Sequence, residues 1–249
     1  MIIHFAAGYR FGAMFLVFFL TSSKLNEDGK VKKRRIGVDS KEGVQRNWIQ
    51  VLLNSCFVAV LSVLVGILSD WEEDKCLDSN ESVLITKLIG GIIGHFSCRI
   101  ANSWSSEIGI LSRDRPRLIT NFKPVLRGTN GAVTKTGLIS ALAAGTEVGI
   151  TFVLAGMITT SCIDKMALKE LSVIPFSALA GLVGSIIRSL LGAVLQFCGF
   201  CELRKKVVAK PGPTVRKIAG RDYLDNDDVN LVSVQLTTLI SLAACVYVF

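Results

Sequence analysis

Polar and ionisable side chains interrupt one long apolar stretch of this sequence, between residues 82 and 111. These side chains are His95, Arg99, Asn102, Ser103, Ser106 and Glu107. Many of them are three or four positions apart in the sequence, and this spacing places side chains on one face of a helix. A charge in hydrocarbon costs several kcal/mol unless it is paired or hydrated, so this face is predicted to look into a helix bundle or a cavity. A satisfied structural ion pair is the alternative.

A basic segment with a glycine turn follows this stretch. Backbone N–H groups of such a turn, placed before a helix, can cradle a phosphate, and nearby basic side chains supply the counter-charge. The predicted phosphate-binding residues are Lys123, Arg127, Gly128, Thr129, Asn130 and Gly131. A plain structural turn is the alternative and the commoner outcome. The chain has no Walker A motif, nucleophile elbow or His/Asp metal cluster, so no metal site is predicted.

Apolar helices must position these residues. Of the 249 residues, 50% are hydrophobic and 28 are Lys or Arg, and the mean hydropathy is +0.50. These values are compatible when the charges are segregated from the apolar runs, as in a membrane protein with several spans. Nucleic acid is excluded as a partner because the basic residues flank apolar segments and do not line one folded domain.

We therefore predict an all-α fold, a polytopic transmembrane helix bundle with about six spans in one domain covering residues 1–249. The predicted spans are residues 2–21, 51–69, 82–111, 132–160, 173–200 and 231–249. The segments between them carry 8, 1, 5, 2 and 7 Lys and Arg. Since basic loops stay in the cytosol, the loops at 22–50, 112–131 and 201–230 are predicted to be cytosolic, with both termini on the other side.

Several local features refine these boundaries. Arg10 interrupts the first span and is expected to snorkel or to face protein; a cleaved signal peptide is the alternative. A short loop at 161–172 is predicted to precede a span that opens near Pro175. Residues 210–213, with the sequence Lys-Pro-Gly-Pro, predict a turn.

The seven cysteines do not form the even-numbered framework of a secreted protein. Cys198 and Cys201 have the spacing of a redox pair or of half a zinc site. Because no second ligand pair accompanies them, structural thiols are favoured. Cys76 and Cys162 fall in the two acidic loops, and a disulfide between them is an open alternative.

Four blocks of this sequence resemble the transmembrane protein 19 family of integral membrane proteins. The blocks are NSWSSEIG at 102–109, PRLIT, KPV and GTNG within 116–131, GLVGS and SLLGA within 181–193 followed by Gln196, and IAG, LDN and VN within 218–230. The similarity covers residues 18–249. The first N-terminal spans of the family are expected to be missing from this chain.

The family includes the plant phytyl-phosphate kinase, which transfers phosphate to a prenyl monophosphate to form a diphosphate. The resemblance implies a kinase or a binding protein for prenyl or related lipid phosphates at the cytosolic face. Nucleotide and Mg²⁺ are implied only if kinase activity is retained. The candidates for catalysis are Asn102, Glu107 and Arg188.

Two of these candidates depart from the family motifs, which carry aspartate where this chain has Asn102 and Arg188. An arginine repels Mg²⁺, which needs carboxylate or phosphate oxygens. Arg188 can instead pair with Glu107 in an internal salt bridge or bind a phosphate through two hydrogen bonds.

Two other functions stay open. A lipid-phosphate binder, carrier or scaffold without enzymatic activity would keep the fold and the basic face. A transporter would use the polar stripe near Arg99. Further cavity candidates are Arg99, Ser103, Asn226 and Asn230. If the site exists, we expect five residues to converge on one cytosol-facing cavity: Asn102, Glu107, Lys123, Arg188 and Asn230. The predicted partners are the lipid bilayer and prenyl or lipid phosphates.

Overall fold

Helices make up most of the chain, and short strands lie in two of its connecting segments. A computed structural model describes residues 2–35, 48–72 and 76–249. Its elements are α1 (Ile2–Ala7), α2 (Tyr9–Arg35), α3 (Trp48–Leu68), α4 (Val83–Leu111), β1 (Arg117–Leu118), β2 (Ala132–Val133), α5 (Lys135–Thr159), α6 (Cys162–Leu195), β3 (Cys198–Cys201), β4 (Lys206–Val208), β5 (Val215–Ala219) and α7 (Asn226–Val248). The predicted all-α, polytopic bundle is confirmed.

The number of spans is approximate. Within the described residues, four segments are long and apolar enough to cross a membrane: Val83–Leu111, Lys135–Thr159, Ala167–Leu195 and Asn226–Val248. The α3 helix adds a shorter apolar stretch, Ser55–Leu68, and α2 packs beside α4 and α5. Helices of this length extend for 35 Å or so at about 1.5 Å per residue, which suffices to cross a bilayer.

The N-terminal apolar run, predicted as one span at 2–21, forms two helices. The chain breaks at Gly8, whose φ of +149° suits glycine better than any other residue. The short helix α1 packs against α3, where His4 Nδ1 lies 3.1 Å from Ser62 Oγ. The α2 helix then continues to Arg35, through part of the predicted loop at 22–50. Residues 36–47 of that loop lie outside the described residues.

The α6 helix begins earlier than predicted. The segment at 161–172, predicted as a loop, is helical from Cys162, and Pro175 lies inside the helix. The sequence prediction relied on hydropathy, which assigns the charged first turns of this helix to a loop. In the fold, however, two of these charges have partners, because Lys169 pairs with Asp78, and Glu170 pairs with an arginine of α2.

The α6 helix also ends earlier than the predicted residue 200. The segment that leads into α7 covers its last turn: the Arg221 N–H donates to the Val194 carbonyl at 3.0 Å. Gly220 has a φ of +71° and lies where any side chain would clash with the carbonyl of Gln196. Residues Cys198–Cys201 are therefore free to form β3 instead of a further helical turn.

The two sheets are small and antiparallel. In the third basic loop the strand order is β4-β3-β5, and the predicted turn at 210–213 lies between β4 and β5. In the second basic loop β1 pairs with β2. The strands have only two to five residues each, too few for a period of two to stand out in the sequence.

The α4 helix is the centre of the bundle and packs against α2, α3, α5, α6 and α7. Ile92 and Ile93 in its middle are completely buried. Its contact with α7 is close, because a methyl group on Gly94 would clash with Ser241, and one on Gly90 would clash with Cys245. Small residues allow this approach of two membrane helices.

The connecting segments define two ends of the bundle. At the disulfide end, the structure joins Cys76 to Cys162, with 5.4 Å between their Cα atoms, so the pairing that the sequence left open is formed. At the basic end, the second and third basic loops pack on the end of α6, where Gly131 lies against Ala193.

Candidate functional site

Arg188 lies at the basic end, on the buried side of α6. Its guanidinium donates from Nε to Asn230 Oδ1 at 2.5 Å and from Nη2 to Asn226 Oδ1 at 3.3 Å. Both partners are neutral amides in the first two turns of α7. The side chain is half-buried, and no carboxylate of the described residues lies within ion-pair distance of it. The positive charge therefore has hydrogen-bond partners but no contacting counter-charge.

Two carboxylates stand farther away. Glu107 and Asp227 interact electrostatically with Arg188, but its hydrogen bonds go to the two asparagines. The internal salt bridge between Arg188 and Glu107 that the sequence left open is therefore not formed among the described residues.

Asn102 connects α4 to the same group of residues. It is 6% exposed, and its Nδ2 donates to Ser233 Oγ at 3.2 Å and to Cys98 Sγ at 3.4 Å. Ser233 Oγ in turn donates to the Asn230 carbonyl at 2.9 Å. We call the connected set of Arg188, Asn226, Asn230, Ser233 and Asn102 the Arg188 network.

One atom of this network is unsatisfied. Asn102 Oδ1 is buried and accepts no hydrogen bond from the described residues. Leaving a buried acceptor unpaired costs about 1–3 kcal/mol. A donor from water or from a ligand would therefore be held strongly at this position.

The start of α7 positions the two asparagines. Asp225 accepts hydrogen bonds from the N–H groups of Asp227 and Asp228 at 2.8 and 2.9 Å, and Asp228 accepts one from the Asp225 N–H at 3.1 Å. This capping box begins the helix at Asn226, five residues before the predicted span at 231–249. Asn226 and Asn230 therefore lie one turn apart on one helical face, with the positive end of the helix dipole beside them.

The predicted phosphate turn packs on the end of α6. The Asn130 N–H donates to Cys198 Sγ at 3.4 Å, and Asn130 Nδ2 donates to the Phe197 carbonyl at 3.1 Å. Thr129 is buried as well, and its hydroxyl donates to the Leu126 carbonyl at 2.7 Å. These bonds show that the turn has a structural role. Phosphate binding by the turn stays a prediction.

The remaining members of the predicted turn site lie nearer the surface. Lys123 and Arg127 are exposed. Gly128 and Gly131 have φ values of +84° and +73°, a region that favours glycine. No hydrogen bond or ion pair in the described part of the chain joins Lys123 to the Arg188 network.

The polar face of α4 lies within the bundle and divides between the neighbouring helices. His95 Nδ1 lies 3.4 Å from Thr238 Oγ1 of α7. The guanidinium of Arg99 instead lies over the ring of Phe18 in α2, 5.0 Å from its centroid. Ser103 is half-buried. Helices surround α4, and spacings of three and four spread its polar residues over an arc that meets more than one of them.

Of the five residues expected to converge, three are joined through hydrogen bonds: Asn102, Arg188 and Asn230. Glu107 is within electrostatic reach, and Lys123 makes no hydrogen bond to the other four in the described part of the chain. The sequence analysis missed Ser233 and Cys98, which connect Asn102 to α7. The signal for Ser233 is its position three residues after Asn230, on the same face of α7.

The cysteines of β3 lie apart from this network. Their spacing of three places Cys198 and Cys201 on opposite faces of a strand, and both are buried. The Arg204 N–H and the Thr214 hydroxyl hold the pKa of the Cys201 thiol below its usual value. Among the described residues, no group of three or more His, Cys, Asp or Glu is placed to hold a metal ion.

The long apolar helices and the charged groups between them define a polytopic membrane protein. A model of the family described as integral membrane protein DUF92 matches residues 1–238, so the chain belongs to this family. Protein PGR of Arabidopsis thaliana is 60% identical over 249 residues, which cover 100% of this chain and 86% of the relative.

More distant relatives are also membrane proteins. An uncharacterized membrane protein of Methanocaldococcus jannaschii is 24% identical over 195 residues, covering 78% of this chain and 69% of the relative. Another, from Synechocystis, is 26% identical over 196 residues, covering 78% and 67%. No solved structure matches the chain.

Proposed function

We propose that this integral membrane protein, acting as one domain, binds the phosphate group of a prenyl or related lipid phosphate at the Arg188 network. The observation that carries the proposal is the guanidinium of Arg188, half-buried and held by two neutral amides without an ion-pair partner in the described chain. Arginine matches phosphate through parallel hydrogen bonds. A lipid phosphate would bring its own apolar tail into the bilayer.

Neighbouring groups support an anion at this position. The Nη1 atom of Arg188 makes no hydrogen bond to the described residues, so it remains available for a phosphate oxygen. The start of α7 adds the positive end of a helix dipole. Asn102 Oδ1 needs a donor, which a singly protonated phosphate or a water molecule can provide.

The basic end is proposed to face the cytosol, with the loops at 22–50, 112–131 and 201–230 on that side. The alternation of Lys and Arg supports this orientation. The disulfide between Cys76 and Cys162 supports it independently, because disulfides persist in oxidising compartments and are rare in the cytosol.

Binding of farnesyl phosphate to the purified chain in nanodiscs tests the proposal, with farnesol as the ligand that lacks the phosphate. Arg188→Gln is expected to weaken farnesyl phosphate binding by about tenfold to a hundredfold, the value of a hydrogen bond to a charged group, and to leave farnesol unaffected. Arg188→Lys is expected to bind farnesyl phosphate with an affinity between those of Arg188→Gln and the unmodified chain, because lysine keeps the charge but lacks the planar fork of the guanidinium. Arg221→Gln is the matched control, since Arg221 is exposed and lies over Tyr223. Equal binding by Arg188→Gln and the unmodified chain would refute the proposal.

A lipid-phosphate kinase is the second candidate, favoured by the position of Glu107 and Asp227 near Arg188 and implied by the resemblance to the transmembrane protein 19 family. The described residues do not fit a protein-held Mg²⁺ site, because an arginine takes the central position and no three acidic side chains cluster there. Replacing Asn102 and Arg188 together by Asp restores the family pattern. A gain of Mg²⁺- and ATP-dependent phosphorylation of farnesyl phosphate would favour the kinase ancestry, and no gain in a preparation that binds nucleotide would remove it.

A further inference from the structure

The second and third basic loops form one structural unit on the last turns of α6. Leu118 of the second loop and Ala219 of the third pack with Ala193 of α6 in a small apolar cluster. The apolar span of α6 ends at Leu195. Because the unit packs on residues that still belong to this span, its base lies at the level where hydrocarbon gives way to lipid headgroups.

Three large apolar side chains of these loops are exposed. They are Phe122 and Leu126 in the second loop and Leu203 in the third, with exposed fractions of 63%, 50% and 78%. Each is followed directly in the sequence by an exposed lysine or arginine. Membrane surfaces bind protein segments through buried apolar area together with the attraction between bases and anionic lipids. The pairing of an apolar side chain with a base supplies both.

The backbone around Phe122 is strained and well fixed. Phe122 has a φ of +55°, a left-handed conformation that a bulky residue rarely adopts. Its N–H donates to the Leu118 carbonyl at 2.8 Å, and its carbonyl accepts from Arg117 Nη1 at 3.0 Å. The Leu118 N–H donates to the Lys123 carbonyl at 3.0 Å. Strain of this kind persists where the surroundings fix it, and it is concentrated at binding sites. The loop is therefore a firm support for an exposed aromatic ring.

Both loops carry a net positive charge. Between α4 and α5, residues 112–134 contain five Lys or Arg and one Asp. Between α6 and α7, residues 196–225 contain seven Lys or Arg and three Asp or Glu. The cytosolic leaflet, which the basic end is proposed to face, is rich in anionic lipids. It is complementary in charge to the loops and adjoins them, because the helices that carry the loops emerge from it.

We propose that these two loops bind the anionic lipid leaflet from which their helices emerge. Phe122, Leu126 and Leu203 enter the boundary between headgroups and acyl chains, and the bases that follow them pair with the anionic headgroups. The contact holds the basic end of the bundle against the membrane surface. It does not depend on the Arg188 network, which binds its ligand within the bundle.

Tryptophan fluorescence of the full chain in nanodiscs tests the contact. Phe122→Trp and Leu203→Trp place a reporter at two of the apolar positions. Lys210→Trp places one at an exposed position of the same end whose sequence neighbours are alanine and proline, and the three tryptophans of the unmodified chain give the baseline. Brominated phosphatidylcholine mixed with phosphatidylserine is expected to quench the added emission at 122 and 203 and not at 210. Quenching at 122 and 203 should rise with the phosphatidylserine content and fall with salt.

The role of the bases is tested in the Phe122→Trp chain. Lys123→Gln is expected to raise the phosphatidylserine content needed for half-maximal quenching about fivefold, the value of one base at an anionic membrane surface. Lys217→Gln removes the same charge from an exposed position of β5, and it is the matched control, with little change expected. Arg188→Gln is expected to leave the quenching unchanged, which separates this proposal from the phosphate site.

Three results would overturn the proposal: equal quenching at 122 and 210, equal quenching in neutral and anionic nanodiscs, or equal effects of Lys123→Gln and Lys217→Gln. Cross-linking of position 122 to a water-soluble protein in native membranes, without quenching by lipid, would overturn it in favour of a protein partner.

Discussion

Arg10 and Arg188 lie at opposite ends of the helix bundle, and their surroundings differ. At the disulfide end, Arg10 of α2 is 6% exposed and donates from Nη1 to both carboxylate oxygens of Glu170, at 3.1 and 3.2 Å. Its Nη2 donates to the hydroxyl of Thr160. The guanidinium lies 4.6 Å from the centroid of Phe152, in space that exists because residue 156 is glycine.

At the basic end, Arg188 is half-buried, and its contacting partners are the amides of Asn226 and Asn230. Amides satisfy the hydrogen bonds of a guanidinium without cancelling its charge. The carboxylate beside Arg10 cancels that charge at contact distance. The comparison separates a cation that is paired with a carboxylate of another helix from the cation that we propose binds an anionic ligand.

The largest effect is expected from breaking the pair at the disulfide end. Glu170→Gln leaves a buried arginine without its counter-charge, and removal of one partner of a buried pair costs about 3–5 kcal/mol. Replacing both residues by leucine is expected to recover most of this stability. Thermal unfolding in detergent measures both variants. If Glu170→Gln is no less stable than Arg188→Gln, the two arginines do not differ in the way described.

A smaller loss is expected from opening the disulfide at the same end. Cys162→Ser releases a link between two positions that are 86 residues apart in the chain, and removal of a disulfide commonly costs about 2–4 kcal/mol. Thermal unfolding of Cys162→Ser, with Cys56→Ser as the control for loss of a thiol, measures the difference. Identical gel mobility of the unmodified chain with and without reductant would instead indicate that the bond does not form.

The sequence predicted the arrangement of helices better than it predicted their contacts. Long apolar runs separated by basic and acidic loops suffice to predict a polytopic bundle, because burial in lipid requires them. The ends of helices are harder to predict. The charged first turns of α6 were predicted as a loop because their partners, Asp78 and Arg10, are distant in the chain.

The candidate site was predicted only in part, for the same reason. Asn102, Arg188 and Asn230 were recognisable as polar residues within apolar surroundings. The pair formed by Arg10 and Glu170 was not, since the two are separated by 160 positions. Only the packing of α2 beside α5, which in turn packs on α6, brings them together, and a single sequence contains no signal for that arrangement.

At the basic end, loss of an amide is expected to have a moderate effect. Asn230→Ala removes the acceptor for Arg188 Nε and is expected to cost about 1.5 kcal/mol, near the lower range for a bond to a charged group. Asn226→Ala, which removes a longer bond, is expected to cost less. Adding farnesyl phosphate should raise the unfolding temperature of the unmodified chain more than that of Asn230→Ala. An equal rise in both would argue against positioning of Arg188 by Asn230.

The smallest expected effect concerns pH and compares one carboxylate from each end. A hydrogen bond from Lys169, with one from the Asn80 N–H, lowers the pKa of Asp78. At the basic end, hydrogen bonds from the hydroxyl and the N–H of Thr136 lower the pKa of Asp114. A carboxyl with a lowered folded-state pKa adds stability that is fully present above its unfolded pKa of about 3.9. That stability is lost as the pH falls through the folded-state value.

Both contributions should therefore disappear below about pH 4, but salt should distinguish them. Salt screens the charge of Lys169, whose side chain is 32% exposed, whereas the donors of Thr136 carry no net charge. Unfolding temperatures of Asp78→Asn and Asp114→Asn, measured against pH at low and high salt, give the test. We expect Asp78→Asn to remove a larger salt-sensitive part of the acid transition than Asp114→Asn, because Lys169 bonds directly to Asp78, whereas Asp114 is bonded by neutral donors and Lys135 and Arg127 act on it only through their charge. An equal salt response of the two variants would mean that the two ends do not differ in this respect.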